Sequence, residues 1–307
     1  MVPRKISSGR YKSFSQLIHD KFIYVDKTKA ACLMAEQEEC YLLTRPRRMG
    51  KSTMVSTLEY LFSKGTEGTE GLYCYDHWRD PNRYFVFHFT FNAISAKSIE
   101  TVKHGLIKQF LPYAKYFGIQ IDHDSDIDTI FLSLVNESLV KLSDQSFIQE
   151  HPELQDNERH FCTDKVVLLI DEYDAPLTLT LDNRELFDDI KELYRVLFST
   201  LKNLSCFRLV FLTGVSSYAQ TSIFSGANQF KNISLNDEYA TCCGYTQDEI
   251  EHYFAPELEN AKEVLDLDYD ELMANLAISM MAICLLSLGS KITEVKMYSV
   301  QSVFLLF

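Results

Sequence analysis

The sequence lacks the cysteine spacing of structural zinc sites. None of its eight cysteines forms a Cys-x-x-Cys pair, although such sites usually take their thiolate ligands in closely spaced pairs. Cys242 and Cys243 are adjacent, a spacing that suits neither a metal site nor a simple disulfide. We therefore interpret the cysteines as free thiols in a reducing compartment.

An excess of basic residues is also absent. The chain carries 30 Lys and Arg against 43 Asp and Glu, which gives a net charge of −13 and an isoelectric point near 5.1. Because binding to nucleic acid depends on neutralising its phosphates, this balance does not favour a nucleic-acid partner. The densest basic stretch, residues 45–51, is better explained as part of a nucleotide site.

The sequence contains no apolar run of the roughly 20 residues that a membrane-spanning helix needs. Residues 274–288 are apolar apart from Asn275 and two serines, and they predict a shorter, buried helix. Residues 1–11 lack the apolar core of a secretory signal. We therefore expect a cytoplasmic protein without membrane contact.

What the sequence does contain is an alternation of short apolar runs with longer helical patterns. With 46% hydrophobic residues, the 307 residues can bury one large domain or two smaller ones. Continuous apolar runs such as residues 165–170 are typical of parallel strands buried on both faces, so the alternation predicts an α/β fold with a central parallel sheet. The predicted strands are residues 40–44, 84–91, 165–170 and 208–213, the predicted helices include 98–117, 127–142 and 184–204, and residues 144–164 are predicted to form a surface loop.

Residues 45–53 (RPRRMGKST) lie between a predicted strand and an amphipathic helix, which is the context of a phosphate-binding loop, or Walker A motif. Gly50 allows close approach of the backbone to phosphates, and amides at the helix N-terminus point toward negative charge. Lys51 would reach the β- and γ-phosphates, and the Ser52 hydroxyl would ligate Mg²⁺. Arg45 stands where the motif has its first glycine, which normally permits a turn that other side chains strain.

A second motif of the Walker B form follows at residues 166–172. Its apolar strand ends in Asp171, which would hold the Mg²⁺ shell, and in Glu172, which is placed to polarise an attacking water. Adjacent Asp and Glu favour hydrolysis over transfer to a small acceptor. Thr213 closes the next strand, where it could act as a polar sensor of the γ-phosphate or simply cap a turn.

These motifs together resemble the AAA-ATPase-like family, whose members often carry a C-terminal PD-(D/E)XK-type nuclease domain. An arginine at the first-glycine position is common in that family, so Arg45 supports the resemblance. The similarity covers about residues 5–255, in the order of the family. The matching stretches are residues 24–28, 44–52, 169–176, 212–216, 223–228 and 243–246.

The resemblance implies a P-loop NTPase fold of the additional-strand (AAA/STAND-like) type, formed by residues 1–255. It implies ATP and Mg²⁺ as ligands, with Lys51 and Glu172 as catalytic residues and with Ser52 and Asp171 on the metal. Residues 26–28 would lie on the base or ribose side of the nucleotide. The expected nucleotide contacts come from Arg47, Arg48, Met49, Gly50, Lys51, Ser52, Thr53 and Thr213.

Residues 256–307 depart from the family pattern. Where relatives continue with a Tyr-Asp-Gly-Tyr segment and a nuclease domain, this chain has Met-Met-Ala-Ile at residues 280–283. Codons for these four residues, read one frame over, contain Asp-Gly followed by a residue that can be Tyr. We therefore interpret this segment as truncated or frameshifted, and we assign it no nuclease activity.

Three functions are consistent with these features. The first is an Mg²⁺-dependent ATPase whose site a neighbouring copy of the chain could complete with an arginine, in a homo-oligomer. The second is a nucleotide-binding interaction module without significant turnover, acting on an unidentified protein partner. The third is a nucleic-acid-associated ATPase, against which the net charge of −13 argues.

Overall fold

The computed structural model describes residues 13–203, 205–216, 230–288 and 291–298. Within these residues, five parallel strands form one sheet in the order β2-β3-β4-β1-β5. The strand β4 thus lies between β1, which precedes the phosphate loop, and β3, which precedes the acidic pair. This interposed strand confirms the predicted additional-strand α/β fold. The strands are β1 (Cys40–Thr44), β2 (Asn82–Thr90), β3 (His160–Asp171), β4 (Phe207–Gly214) and β5 (Phe230–Asn232).

Helices cover both faces of this sheet. Neighbouring residues of a strand point to opposite faces, so Val210 and Leu212 of β4 pack in one apolar cluster while Leu209 and Phe211 pack in another. The first cluster includes α5, α6 and α9, and the second includes α2 and α3. The helices are α1 (Phe14–His19), α2 (Thr28–Ala35), α3 (Lys51–Lys64), α4 (Tyr73–His77), α5 (Ile99–Phe117), α6 (Ile127–Leu142), α7 (Gln145–Glu150), α8 (Ala175–Thr178), α9 (Arg184–Ser199), α10 (Gln247–Tyr253), α11 (Ala255–Leu265) and α12 (Tyr269–Met280).

The register of the strands brings their carboxyl ends to one edge of the sheet. In β1, Thr44 pairs with Gly214 of β4, and in β3, Ile170 pairs with Leu212 of the same strand. The residues that follow these pairs must therefore meet at the same edge, which is where open α/β sheets bind ligands.

A third apolar cluster lies apart from the sheet. It joins Ile23 and Val25, which precede α2, to Ile250 of α10, Leu258 of α11 and Leu272 of α12. The segment before α2 is thus packed against helices more than 200 residues later in the chain. The predicted division of the chain at residue 255 falls between members of this cluster and stays a prediction.

The structure differs from the sequence-based expectation outside the sheet. Within the predicted loop 144–164 it has α7 and the first residues of β3, and the predicted helix 184–204 ends as an α-helix at Ser199, followed by a 3-10 turn. The prediction of one helix over residues 274–288 was wrong, because the run passes from the end of α12 into a strand, β6 (Met281–Leu288). This strand pairs antiparallel with β7 (Lys291–Tyr298), whose β-branched residues favour extended backbone. No helix among the described residues is long and apolar enough to span a bilayer.

A buried ion pair joins the opposite, amino end of β4 to the segment before β2. Nε of Arg208 donates to Oδ2 of Asp80 at 2.8 Å, and both side chains are almost fully buried. Arg208 also donates to the carbonyl oxygens of Ala35 and Gln37, and the Tyr84 hydroxyl donates to Oδ1 of Asp80 at 3.1 Å. The guanidinium therefore depends on one carboxylate and two main-chain carbonyls.

Asp80→Ala would leave the Arg208 guanidinium buried without its carboxylate. We expect the free energy of unfolding to fall by about 3–5 kcal/mol, measured by urea denaturation. Asp188→Ala is the matched control, because Asp188 contacts Lys191 at 3.4 Å in a more exposed pair, and its loss should cost less than about 1 kcal/mol. Equal losses in the two variants would contradict the role given to the buried pair.

Candidate nucleotide-binding site

Three predicted site residues meet at the carboxyl edge of the sheet. The Ser52 hydroxyl, in the first turn of α3, donates to Oδ2 of Asp171 at the end of β3. The Thr213 hydroxyl, near the end of β4, donates to Oδ1 of the same carboxylate. Asp171 therefore links the phosphate loop to the end of β4, although 119 residues separate it from Ser52.

The backbone of the phosphate loop turns at Arg48 and Gly50. Their φ angles are +66° and +89°, both in the left-handed region. Arg45, at the first-glycine position, is not among the residues with positive φ, so the strain expected there is absent and falls on Arg48. Met54 N is bonded to Gly50 O at 3.0 Å, and the amides before it lie in the first turn, whose N–H groups have no acceptor within the helix.

Lys51 is folded over this loop. Its ammonium donates to Arg45 O at 3.1 Å and to Pro46 O at 3.0 Å, and the side chain is buried. Burial lowers the pKa of Lys51, and the charges of Cys243, Asp171 and Glu172 oppose that shift. The ammonium thus lies close enough to both acidic residues to feel their charge, as the phosphate-binding interpretation requires.

Glu172 follows β3 in a left-handed conformation, with φ of +52°. Its amide donates to Oδ1 of Asp171 at 3.0 Å. Burial raises the pKa of the Glu172 carboxyl, the neighbouring Asp171 raises it further, and Lys51 and Arg47 act in the opposite direction. A carboxylate with a raised pKa is a stronger proton acceptor than an ordinary glutamate.

The other loop residues named from the sequence lie around this centre. Arg47 and Arg48 are exposed, Thr53 is half-buried and Met49 is buried. A main-chain hydrogen bond holds Met49, whose carbonyl accepts from Gly244 N at 2.6 Å. The charge of Arg47 opposes the rise in the pKa of the Glu172 carboxyl.

Asp174 lies in the matched stretch 169–176, but no role was predicted for it from the sequence. This buried carboxylate accepts hydrogen bonds from the amides of Val215 and Ser216, at 3.0 and 2.7 Å, and from the Ser216 hydroxyl. It thereby fixes the segment that follows Thr213. A Cβ at Gly214 would lie 2.6 Å from Cε1 of Tyr173 and 2.7 Å from Oδ1 of Asp174, so only glycine permits this close approach.

The segment before α2 makes ordered contacts of its own. Lys27 Nζ lies 2.6 Å from both carboxylate oxygens of Glu249, and Oδ1 of Asp26 accepts from the amide of Thr28 at 2.8 Å. The charge of Lys27 also contributes to lowering the pKa of Cys243, after the hydrogen bond from Cys242 and the charges of Arg45 and Lys51. The placement of residues 26–28 on the base or ribose side stays a prediction.

The oxygens at this edge fit a magnesium ion. The Ser52 hydroxyl and the Asp171 carboxylate touch each other, so both face one point, and Mg²⁺ is usually held by one or two protein oxygens together with phosphate oxygens and water. Among the described residues, no group of three His, Cys, Asp or Glu side chains forms a metal cage. A metal ion at this edge would therefore depend on oxygens of a bound phosphate.

Comparison with known proteins identifies the family of the chain. A curated protein of Azotobacter chroococcum mcd 1, described as an uncharacterized protein in the vnfD 5' region, is 30% identical to the chain over 256 residues. The aligned region is 83% of this chain and 44% of that relative, so the chain spans less than half of the relative's length. The matched stretch at residues 223–228 lies outside the described residues. A family described as predicted AAA-ATPase matches residues 10–224, and the chain belongs to this AAA-ATPase-like family.

Proposed function

We propose that the chain binds ATP together with Mg²⁺ and hydrolyses the bond between its β- and γ-phosphates. The observation that carries this proposal is the contact between Ser52 and Asp171, which joins the first turn of α3 to the acidic end of β3. Lys51 and Glu172 each interact electrostatically with Asp171 and with each other. Phosphate-binding and water-activating groups are thereby combined at a single edge.

Each residue has a role that follows from its position. Lys51 and the first amides of α3 bind the β- and γ-phosphates, Ser52 and Asp171 hold Mg²⁺, and Glu172 accepts the proton of the attacking water. Bound Mg²⁺ would neutralise charge on the transferring phosphoryl group. The Thr213 hydroxyl donates to the Asp171 carboxylate and keeps it oriented.

Arg47 and Arg48 extend the site outward. Both are exposed at the loop, and guanidinium groups are suited to phosphate oxygens. A further arginine from a second copy of the chain would complete the site in a homo-oligomer. The net charge of −13 supports a protein partner over nucleic acid.

A reducing, cytoplasmic location is part of the proposal. Seven cysteines among the described residues are free, and most of them are buried. Free thiols persist in reducing compartments. This agrees with a nucleotide-dependent protein that uses cellular ATP.

Two substitutions separate ATP binding from hydrolysis. Glu172→Gln should retain ATP binding and lower turnover by about 10²- to 10⁴-fold, because it removes the proton acceptor. Lys51→Ala should lose both, because the phosphates lose their ammonium. Phosphate release would measure turnover, and calorimetry would measure ATP binding. Glu150→Gln and Lys64→Ala, at exposed positions, are the matched controls. Equal turnover in the wild type and both site variants would reject the assignment.

ATP should raise the melting temperature only when Mg²⁺ is present. At 100 times the dissociation constant, a ligand that binds only the folded state stabilises it by about 2.7 kcal/mol. Removal of Mg²⁺ with a chelator, or the Asp171→Asn substitution, should abolish most of this shift in a thermal melt. A full shift without phosphate release would instead identify a nucleotide-binding module that does not hydrolyse ATP.

The raised pKa of Glu172 gives a pH-dependent stability that needs no nucleotide. The folded protein binds the proton of the Glu172 carboxyl more tightly than the unfolded chain does, so ionised Glu172 destabilises the fold at neutral pH. This destabilisation decreases as the pH falls through the raised pKa of the folded state and is gone below the pKa of the unfolded chain. Glu172→Gln should therefore melt above the wild type at pH 7, and the difference should shrink on acidification. Thermal melts of the variant and the wild type at intervals of about one pH unit, between about pH 4 and 8, would measure this difference in melting temperature. A difference that does not change with pH, as expected for Glu150→Gln, would contradict the raised pKa.

A further inference from the structure

Arg45 is a buried arginine whose side chain contacts main-chain carbonyls of the segment that follows β5. Only 3% of the residue is exposed, and a buried guanidinium is unfavourable unless hydrogen bonds compensate it. It donates to Ser234 O, to Thr44 O at 3.2 Å and to Ala240 O at 3.5 Å. All three acceptors are main-chain carbonyls, and two of them lie about 190 residues further along the chain.

The segment from Ser234 to Gly244, which we term the brace, contacts the loop at both of its ends. At the start of the loop, Thr44 N donates to Oγ of Ser234 at 2.8 Å. At its end, Gly244 N donates to Met49 O at 2.6 Å. The brace is itself fixed to the sheet, since Ile233 N donates to Leu42 O at 3.0 Å.

The backbone of Arg45 completes this arrangement. Its amide donates to Gly214 O at 3.1 Å, which ties the start of the loop to the end of β4. Within the loop, left-handed φ angles occur at Arg48 and Gly50, and Arg45 is not among the residues with positive φ. Position 45 therefore does not need a glycine, and its side chain is available to hold the loop.

We propose that Arg45 is a positioning residue that clamps the phosphate loop to the brace, so that the loop amides are ordered before the nucleotide arrives. Ordering a binding loop in advance removes an entropic cost from binding. In this chain a side-chain clamp replaces the glycine turn of the usual motif. The proposal rests on the proposed function for its ligand, ATP, but the clamp itself is a property of the free protein.

Arg45→Gly is the sharpest test, because it restores the usual glycine of the motif while it removes the clamp. We expect ATP binding in the presence of Mg²⁺ to weaken by about 10- to 100-fold, the effect of losing hydrogen bonds to a charged group. Arg45→Lys should weaken binding as well, since an ammonium cannot reach the separate carbonyls with the same planar fork. Ser234→Ala, which keeps Arg45, removes the hydroxyl that holds Thr44 and should have a smaller effect in the same direction.

Arg208→Lys is the matched control. Arg208 is also buried and also donates to two main-chain carbonyls, but at the opposite end of the sheet. Loss of a buried arginine should lower the melting temperature in both Arg45→Gly and Arg208→Lys. If the effect of Arg45 on ATP is specific to the loop, the ATP affinity of Arg208→Lys should stay unchanged. Tighter or equal ATP binding by Arg45→Gly, relative to the wild type, would overturn the clamp.

Hydrogen exchange of the nucleotide-free protein tests the clamp independently of ATP. In Arg45→Gly and Arg45→Lys, the hydrogen-bonded amides that join the loop to the brace and to β4, those of residues 44, 45 and 244, should exchange faster than in the wild type, and in Arg208→Lys they should not. If the wild type binds no ATP, the proposed function fails, and the exchange rates still decide whether Arg45 orders the loop. Unchanged exchange of the amides of residues 44, 45 and 244 in both Arg45 variants would refute the clamp even if ATP binds.

Discussion

The hydrogen bond between Ser52 and Asp171 depends on the position of β4 in the sheet. Ser52 follows β1 and Asp171 ends β3, and these strands are not neighbours, because β4 lies between them. The parallel register brings both carboxyl ends level with the end of β4, so the two side chains reach each other across its terminus. Thr213, on the interposed strand, bonds to the same carboxylate. A change in this register by one residue would turn these side chains to the other face.

Much of this arrangement follows from local sequence. The apolar runs before Asp171 and before Gly214 predict central strands because few other structures bury such runs on both faces. The loop with Gly50 and Lys51 is recognisable because a strand and an amphipathic helix flank it. Once a parallel sheet is predicted, its ligand edge is also predicted. These inferences need only periodicity and the order of the elements.

The remaining features depend on contacts between residues distant in sequence. Ser234 and Gly244 hold the phosphate loop through hydrogen bonds with Thr44 and Met49, and no spacing in the sequence announces such pairings. The strand β5 has only three residues, one of them half-buried, so it carries too little pattern for recognition. Asp174 belongs to the family motif, but its bonds to Val215 and Ser216 arise from the packing of two separate loops.

The strained residues of the site show what holds it in place. Among the described non-glycine residues, positive φ occurs at Arg48 and Glu172, within the site, and at two positions elsewhere. Such conformations cost on the order of 1–3 kcal/mol and persist only where the surroundings enforce them. Here the enforcing contacts are internal: Lys51 bonds to the loop carbonyls, and Tyr173 N donates to Thr213 O at 3.0 Å directly after Glu172. Because the folded core supplies these contacts, the site keeps this geometry in the free protein.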